Sequence, residues 1–523
     1  MDTPLKSFID YKASTGMQCG NYSIDIPKLK IDEQYRFHFN ASACVGCHCC
    51  EAACNEQNGN TPDVKWRRVG EMQGGEFPNF KQFFNSMSCN HCIEPACLIG
   101  CPTNSYIKLD NGIVFHNDDS CIGCQYCTWN CPYQVPAFDK AKGIVTKCHM
   151  CNEKLEAGQT PSCVQACPAG AIEIEVVNKN EWIKNNIASQ GIAPLLPDIS
   201  ITKPTTRYTL PDNLPELKPL DEHIVKKSHA EFPLVFMTTL SQISLGAMAA
   251  LFLGQIASLF SNTLATPNIA FALCVLLPLA LGLPLSALHL GRPVLAITAI
   301  KNLKTSWLSR EAFWLGNFAI LSFLLVLAFY FEINNFIKLC LESATLASGI
   351  YGIYAQSMIY KVKARASWNK STTTIKFFSS SYLGFLLVSI LLLTNYKPFI
   401  SVLAIAILIG TFLLLTLFGE LKSYNELKNE DKHFYQLSRT KILLDKMIVL
   451  KYFRIVGLLF SALILPIFAI VAFDAQNTNL PLILQCTAFA LGAVAELIGR
   501  YLFFVTAVPY GLAGNFFAGN QRS

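Results

Sequence analysis

The stretch CIGCQYCTWNCP, residues 121–132, places three cysteines two residues apart and ends in a Cys-Pro step. Three thiolates at this spacing surround one 4Fe-4S cubane from a single loop, and the fourth leads away toward a different cluster. The stretch therefore predicts a domain built around clusters that share ligands.

Three further cysteine quartets with related spacing lie on either side of this stretch. The second quartet has four residues in its middle gap, and the fourth quartet has a long one. In chain order the quartets are Cys44, Cys47, Cys50 and Cys54; Cys89, Cys92, Cys97 and Cys101; Cys121, Cys124, Cys127 and Cys131; and Cys148, Cys151, Cys163 and Cys167. Sixteen thiolates at these spacings predict four 4Fe-4S clusters.

Zinc is the alternative metal, because C-x2-C pairs also build zinc ribbons. A zinc knuckle uses two cysteines, so zinc explains neither the third cysteine two residues further on nor the repeated Cys-Pro step. The pattern therefore favours iron. Cys49 falls outside the quartets, and we interpret it as a small buried thiol that packs against the cluster loop.

The two halves of the chain differ in composition. Of its 21 cysteines, 18 lie before residue 168, whereas the apolar runs begin after residue 232. The net charge of +6 resides mainly in the loops between apolar runs and forms no basic stripe, which argues against a nucleic-acid function. The opening residues MDTPLKSFID carry no signal peptide and no twin arginine, so we expect the cysteine half to be assembled in the cytoplasm.

Apolar segments fill the second half, and each approaches or exceeds the roughly 20 residues that cross about 30 Å of hydrocarbon. The eight predicted spans are 233–260, 268–290, 312–331, 337–360, 377–394, 398–418, 452–473 and 481–507, with a tight hairpin at Tyr396 and Lys397 between the fifth and sixth. A proline-interrupted stretch before them predicts a tether. The expected domains are therefore a cluster domain (1–190), a tether (191–232) and a membrane anchor (233–523).

Lysine and arginine residues orient the predicted anchor. They gather in the links after the second, fourth and sixth spans, whereas the opposite links SNTLATP and DAQNTN carry none. Because basic links stay in the cytoplasm, this face is predicted to be cytoplasmic. An even number of spans then places both termini, and the cluster domain with them, on that side of a bacterial cytoplasmic membrane.

Both halves resemble parts of one family of enzyme complexes. The cysteine quartets resemble the iron-sulfur subunit of molybdopterin oxidoreductases such as dimethyl sulfoxide reductase. The segments HAEFPLVFMTTLSQISLGA (229–247), LHLGRP (288–293), SWLSRE (306–311) and AELIGR (495–500) resemble the membrane anchor of dimethyl sulfoxide reductase. In that family the two subunits are usually separate polypeptides, whereas here they are fused.

The resemblance implies an α+β ferredoxin-like domain of two pseudo-twofold di-cluster modules, followed by an all-α bundle of eight transmembrane helices. It also implies that the first and fourth quartets exchange their last cysteines, Cys54 and Cys167, and that the second and third exchange Cys101 and Cys131. Related nitrate reductase subunits hold a 3Fe-4S cluster where tryptophan replaces the residue at position 124. With Cys124 in that place, four cubanes are expected.

The same resemblance places a quinol site at His289 and Glu311, since quinol oxidation requires a base for each hydroxyl proton. Arg292 and Arg310 are candidates to hold the quinone head group or anionic lipid. The alternative is structural: Ser309 caps a helix, Glu311 complements its dipole in the first turn, and His289 reaches the membrane interface.

Glu496 and Arg500 stand four residues apart on the last span, and we interpret them as a structural ion pair. His289 alone among the nine histidines lies in or at the end of a span, so a bis-histidine haem is not expected. Without haem, the quinol should react at the face that carries the clusters.

Our first hypothesis is a fused electron-transfer and anchor subunit that oxidises menaquinol and passes electrons to a separate molybdopterin-containing catalytic subunit. A second hypothesis reverses the flow, so that a partner dehydrogenase reduces the quinone pool. A third is a zinc-stabilised scaffold or transporter without a redox role.

Overall fold

The computed structural model of the chain describes residues 18–19, 22–23, 28–185, 196–210, 215, 217–219, 225, 227–260, 267–395, 399–427, 434–474 and 479–509. The chain divides into two compact units, which we call the cysteine unit (Met1–Ile224 with Pro509–Ser523) and the anchor (Val225–Val508). The division falls inside the predicted tether.

Short strands form the framework of the cysteine unit. They are β1 (Gln18–Cys19), β2 (Tyr22–Ser23), β3 (Glu33–Asn40), β4 (Arg68–Gly74), β5 (Lys81–Met87), β6 (Tyr106–Lys108), β7 (Val114–His116), β8 (Ala137–Asp139), β9 (Ile144–Thr146), β10 (Ile172–Asn178), β11 (Arg207–Thr209) and β12 (Leu217–Pro219). Two sheets have three strands each, in the orders β10-β3-β11 and β12-β4-β5, and the other strands pair as hairpins. Strand β3 buries Phe37 and Phe39 against the cysteine-rich core, which fixes its register with β10 at Phe39 opposite Ile172.

The cysteine unit has six short helices, five of which contain or directly follow cysteines of the quartets. They are α1 (Cys49–Asn58), α2 (Ala96–Gly100), α3 (Tyr126–Asn130), α4 (Asn152–Glu156), α5 (Ser162–Gln165) and α6 (Lys179–Asn185). The loops that lead into them need left-handed backbone, which Gly46 and Gly123 supply at φ values of 67° and 70°. A Cβ at Gly46 would also overlap the ring of Phe84, so the first cluster loop requires glycine there.

The anchor is helical throughout most of its described residues. Its helices are α7 (Phe232–Phe260), α8 (Ile269–Ala287), α9 (Trp307–Tyr330), α10 (Asn335–Tyr360), α11 (Ser371–Ser379), α12 (Tyr382–Asn395), α13 (Phe399–Glu426), α14 (Phe434–Lys446), α15 (Ile448–Leu459), α16 (Leu465–Asp474) and α17 (Leu480–Val505). A 3-10 helix (Pro293–Ile300) follows α8, and a π-helical turn (Phe460–Ile464) joins α15 to α16.

Seven stretches of the described anchor are long and apolar enough to cross a membrane: Phe232–Phe260, Ile269–Ala287, Trp307–Tyr330, Asn335–Tyr360, Ser371–Leu393, Ile448–Ala472 and Leu480–Val505. They correspond to seven of the eight predicted spans, and helix α13, which begins at Phe399, covers the described part of the remaining one, 398–418. Large apolar side chains such as Leu281, Ile320 and Val456 are exposed on these helices, as lipid-facing residues are. The expected hairpin at Tyr396 and Lys397 lies outside the described residues, as does most of the links SNTLATP and DAQNTN.

Two spans depart from the predicted segments. The third begins five residues before residue 312, because Ser306 caps α9 by accepting a hydrogen bond from the Ser309 amide at 3.4 Å. The fifth is built from α11 and α12. Close packing of α7 against α12 depends on Gly246, where a Cβ would overlap the Ser381 carbonyl oxygen.

Candidate cluster-binding and quinol-binding sites

One cavity of the cysteine unit is lined by cysteines of two quartets. Cys89, Cys92 and Cys97 of the second quartet face it together with Cys131, the last cysteine of the third. Helix α3 ends immediately before Cys131 and so directs that residue away from its own loop. The arrangement is three cysteines from one loop and one from another.

A second cavity has the same composition. Cys44, Cys47 and Cys50 line it with Cys167 of the fourth quartet. The Ala171 amide donates to Cys167 Sγ at 3.2 Å, so the last cysteine is held by backbone beyond its helix. Amide-to-sulfur hydrogen bonds of this kind stabilise electron-rich sulfur in cluster proteins.

The remaining eight cysteines form two further groups. The members of each group lie close enough to raise one another's pKa by charge repulsion. Burial raises the pKa of the Cys54 thiol, and the neighbouring thiols of Cys148, Cys163 and Cys151 raise it further. In the other group, burial raises the pKa of Cys124 and of Cys127, and the neighbouring thiols of Cys101 and Cys121 raise both further. Each group again combines three cysteines of one quartet with the last cysteine of another, so the grouping agrees with the ligand exchange that the resemblance implies.

The spacing of the sulfurs discriminates between zinc and a cubane. Tetrahedral zinc with bonds of about 2.3 Å places its ligand sulfurs about 3.8 Å apart. Among the described residues, which include all sixteen quartet cysteines, no three cysteine sulfurs lie within 4.8 Å of one another. This spacing favours a core larger than a single zinc ion.

The acidity of these thiols also fits a site for a multiply charged metal core. Burial raises the pKa of Cys124 to about 12 and that of Cys131 to about 11. Such thiols are protonated near neutral pH unless a cation stabilises the thiolate. Iron would supply that charge to the groups that contain Cys124 and Cys131.

Two buried cations lie among the cysteines, and reasoning from the sequence did not single them out. Arg67 is 2% exposed and donates to Ser86 Oγ at 3.1 Å and to Ser88 Oγ at 2.9 Å. Its charge interacts with the thiols of two groups. Lys147 is also 2% exposed, and its Nζ donates to the Cys148 carbonyl at 2.8 Å. Their positive charges favour added electrons at the neighbouring sites. Only the position of Lys147, next to Cys148, offered a signal in the sequence.

Cys49 is not buried, contrary to our interpretation of the sequence. It is exposed at the start of α1, whereas Cys50 and Cys54 on the same helix face the interior. A helix turns by about 100° per residue, so adjacent cysteines cannot face the same cluster.

His289 and the two candidate arginines lie at the ends of α8 and α9. His289 follows α8, and its buried Nδ1 has no hydrogen-bond partner among the described residues. Arg292 precedes the 3-10 helix. Arg310 donates to the carbonyl oxygens of Leu303 at 2.9 Å and Lys304 at 2.7 Å, which fixes its guanidinium over the preceding turn.

Glu311 is neither a helix cap nor a first-turn acid, so the structural alternative for this residue is wrong. Ser306 rather than Ser309 caps α9, and Glu311 lies in the second turn, 5% exposed. Gln356 of α10 donates its amide to Glu311 Oε1 at 3.0 Å. Within the described residues no hydrogen bond or ion pair joins Glu311 to His289, and the two residues belong to different helix ends.

Glu496 and Arg500, expected as an ion pair, form no direct ion pair among the contacts of the described residues and instead belong to a larger buried cluster. Both bind the Ser380 hydroxyl, at 2.9 Å for Glu496 Oε2 and 3.3 Å for Arg500 Nη2. Glu496 also lies 3.8 Å from Arg454, which in turn pairs with Glu420 at 2.6 Å. These charges, which come from three helices, neutralise one another inside the anchor.

Comparisons with known proteins agree with both halves of the chain. The family model for the DMSO reductase anchor subunit (DmsC) matches residues 225–509, and that for a 4Fe-4S dicluster domain matches residues 80–177.

Relatives of the cysteine unit come from several kinds of oxidoreductase. A protein of the anaerobic dimethyl sulfoxide reductase of Haemophilus influenzae is 37% identical over 181 residues, which are 33% of this chain and 87% of that protein. The protein of the same name from Escherichia coli is 37% identical over 179 residues, 33% of this chain and 86% of its own length. A sulfite dehydrogenase subunit of Allochromatium vinosum is 35% identical over 190 residues, 32% of this chain and 79% of its own length.

Proposed function

Because the chain belongs to the dimethyl sulfoxide reductase anchor family and carries a homologue of the reductase iron-sulfur subunit in the same polypeptide, we propose that it oxidises menaquinol and passes the electrons through four 4Fe-4S clusters to a catalytic molybdenum subunit. Independently of that proposal, the chain is an electron-transfer iron-sulfur subunit joined to a multi-pass anchor of a molybdopterin oxidoreductase complex.

The observation that carries the proposal is the grouping of cysteines three plus one. The first cluster would be held by Cys44, Cys47, Cys50 and Cys167, and its neighbour by Cys148, Cys151, Cys163 and Cys54. The other two would be held by Cys89, Cys92, Cys97 and Cys131, and by Cys121, Cys124, Cys127 and Cys101. When bound, the clusters carry single electrons, and each exchanged cysteine connects the loop of one site to the next.

In the anchor, Glu311 and His289 are the proposed proton acceptors. Oxidation of one quinol breaks two O–H bonds, releases two protons and sends two electrons to the clusters. The Glu311 carboxylate accepts one proton. The neutral imidazole of His289 accepts the other through Nδ1, which has no hydrogen-bond partner among the described residues. Arg292 and Arg310 would hold the quinone oxygens or the head group of a neighbouring lipid.

The proposed anchor has eight spans, with α13 as the sixth, and its basic links face the cytoplasm. Helix α13 has 28 residues, long enough to cross the hydrocarbon. The cysteine unit then lies on the cytoplasmic side. A reporter enzyme fused after Ser523 tests this orientation: activity in the cytoplasm agrees with it, and activity confined to the periplasm contradicts it.

Mixing the anaerobically purified chain with a menaquinol analogue tests the function. The visible absorbance of the oxidised clusters should bleach as they take up electrons, without a catalytic subunit present. Dithionite should bleach the same absorbance in a parallel sample. Bleaching by dithionite but not by the quinol, in protein with a full iron content, would contradict quinol oxidation by this chain.

The reverse direction is the second candidate, and the similarity to the sulfite dehydrogenase subunit of Allochromatium vinosum favours it. In that case a partner dehydrogenase would reduce the clusters, and this chain would reduce the quinone. Cluster potentials decide between the two: values above that of the menaquinone couple favour quinol oxidation, and values below it favour quinone reduction.

A further inference from the structure

A row of four buried side chains crosses the interior of the anchor and ends at Glu311. Arg500 Nη2 of α17 donates to Gln242 Oε1 of α7 at 2.7 Å. Gln242 Nε2 donates to Gln356 Oε1 of α10 at 3.3 Å, and Gln356 Nε2 donates to Glu311 Oε1 of α9 at 3.0 Å. None of the four is more than 5% exposed. This polar row thus links the four helices α7, α9, α10 and α17.

The direction of every hydrogen bond in the polar row is determined by its two ends. A guanidinium only donates and a carboxylate only accepts. Arg500 must therefore meet the oxygen of Gln242, which leaves the Gln242 amide nitrogen to donate to the oxygen of Gln356. The Gln356 nitrogen is then directed at Glu311, so both amide dipoles present their positive ends toward the carboxylate.

The positive end of the polar row is held firmly. The Arg500 guanidinium lies 3.9 Å from the centre of the Phe377 ring and donates to the Lys376 carbonyl at 3.1 Å. Neither amide side chains nor a guanidinium readily accept and release protons, so the row is not suited to proton conduction. Its fixed polarity suits it to orient a carboxylate.

We propose that Gln356, Gln242 and Arg500 are positioning residues of quinol oxidation. They engage one oxygen of the Glu311 carboxylate, set its rotamer and favour its ionised form, so that the other oxygen is oriented to receive the quinol proton. In the step itself, both quinol O–H bonds break: one proton forms a new O–H bond at Glu311, the other passes to His289, and two electrons leave for the clusters one at a time. This inference rests on the proposed function of Glu311.

The isosteric variants Gln356→Met and Gln242→Met test it, because methionine keeps the volume but cannot donate to the next residue. The kcat for a menaquinol analogue should fall about tenfold, with KM changed less than about threefold and dye-driven electron transfer unchanged, at equal iron content. The matched control is Gln255→Met, which replaces another buried glutamine of α7 and should retain the wild-type kcat. A conservative Arg500→Lys variant should retain more turnover than Arg500→Met.

A double-mutant cycle separates positioning from a general structural role. In a Glu311→Gln background, Gln242→Met should cause no further loss of kcat, because its effect passes through the carboxylate. If the two losses multiply, or if both methionine variants turn over quinol like wild type, the inference is wrong. If Glu311→Gln itself has wild-type turnover, the proposed role of Glu311 fails instead.

Discussion

In the cysteine unit each candidate site takes three of its four cysteines from one quartet, whereas in the anchor the polar row that ends at Glu311 takes one residue from each of four helices. The loop sites are defined by spacing along the sequence, because covalent geometry holds neighbouring cysteines together before any packing occurs. The anchor site exists only after α7, α9, α10 and α17 have assembled. A substitution in the cysteine unit should therefore remove a single cluster site. A substitution in the anchor should instead weaken helix packing or leave a buried charge without its partner.

The largest effect is expected from Cys131→Ser, which tests whether sites share ligands. The cluster of the second quartet should be lost or converted while that of the third quartet persists, because Cys131 lines the cavity of Cys89, Cys92 and Cys97. Electron paramagnetic resonance of the reduced protein, with iron content, distinguishes the clusters. Cys340→Ser, at an exposed cysteine of α10, is the control and should leave all signals unchanged. Loss of the third-quartet cluster instead would refute ligand exchange.

The next effect concerns the stability of the anchor. Arg454→Met leaves Lys376 as the remaining ion-pair partner of Glu420, at 3.2 Å, and removes the cation that lies 3.8 Å from Glu496. Removal of one partner from a buried charge cluster costs about 3–5 kcal/mol. Thermal unfolding in detergent should show a clear loss of stability, whereas Lys422→Met at an exposed position of α13 should show almost none. Equal unfolding temperatures for both variants would mean that the charge cluster contributes nothing to anchor stability.

Glu311→Gln should reduce quinol turnover by about a hundredfold, the lower end of the range for loss of a general base. Its amide keeps the size of the side chain but accepts no proton. Cluster content and dye-driven electron transfer should persist. The control is Glu332→Gln, which changes an exposed acid beyond the end of α9. Wild-type quinol turnover in the Glu311 variant would assign the base to another residue.

The smallest effect compares two glycines of the cysteine unit with similar backbone. Gly46 and Gly59 have φ values of 67° and 59°, but a Cβ overlaps Phe84 only at Gly46 and meets nothing within 4 Å at Gly59. Gly46→Ala should therefore destabilise the protein by about 1–3 kcal/mol more than Gly59→Ala. The temperature at which cluster absorbance is lost measures the difference. A larger loss of stability for Gly59→Ala would show that the Phe84 ring moves aside without destabilising the protein.

The sequence was sufficient to predict the cysteine quartets, because ligand type and spacing both appear in a short window. It also predicted seven spans that the anchor contains, since length and hydropathy are local properties. The exposure of Cys49 and the cap at Ser306 were missed, because both depend on which residue begins a helix.

The contacts of Glu311 could not be predicted from the sequence. Gln242 and Gln356 lie 114 residues apart, and neither residue type carries a signal for a buried network inside an apolar segment. Arg454 was likewise counted only as part of a predicted span, although its side chain turns inward to Glu420. These residues acquire their roles only through helix packing.

Metal analysis of the anaerobically purified chain tests the central claim most directly, because every electron-transfer step depends on four clusters. We predict about sixteen iron atoms per polypeptide, four for each cysteine group, and no stoichiometric zinc. Zinc in place of iron, in protein whose thiols are intact, would contradict the account.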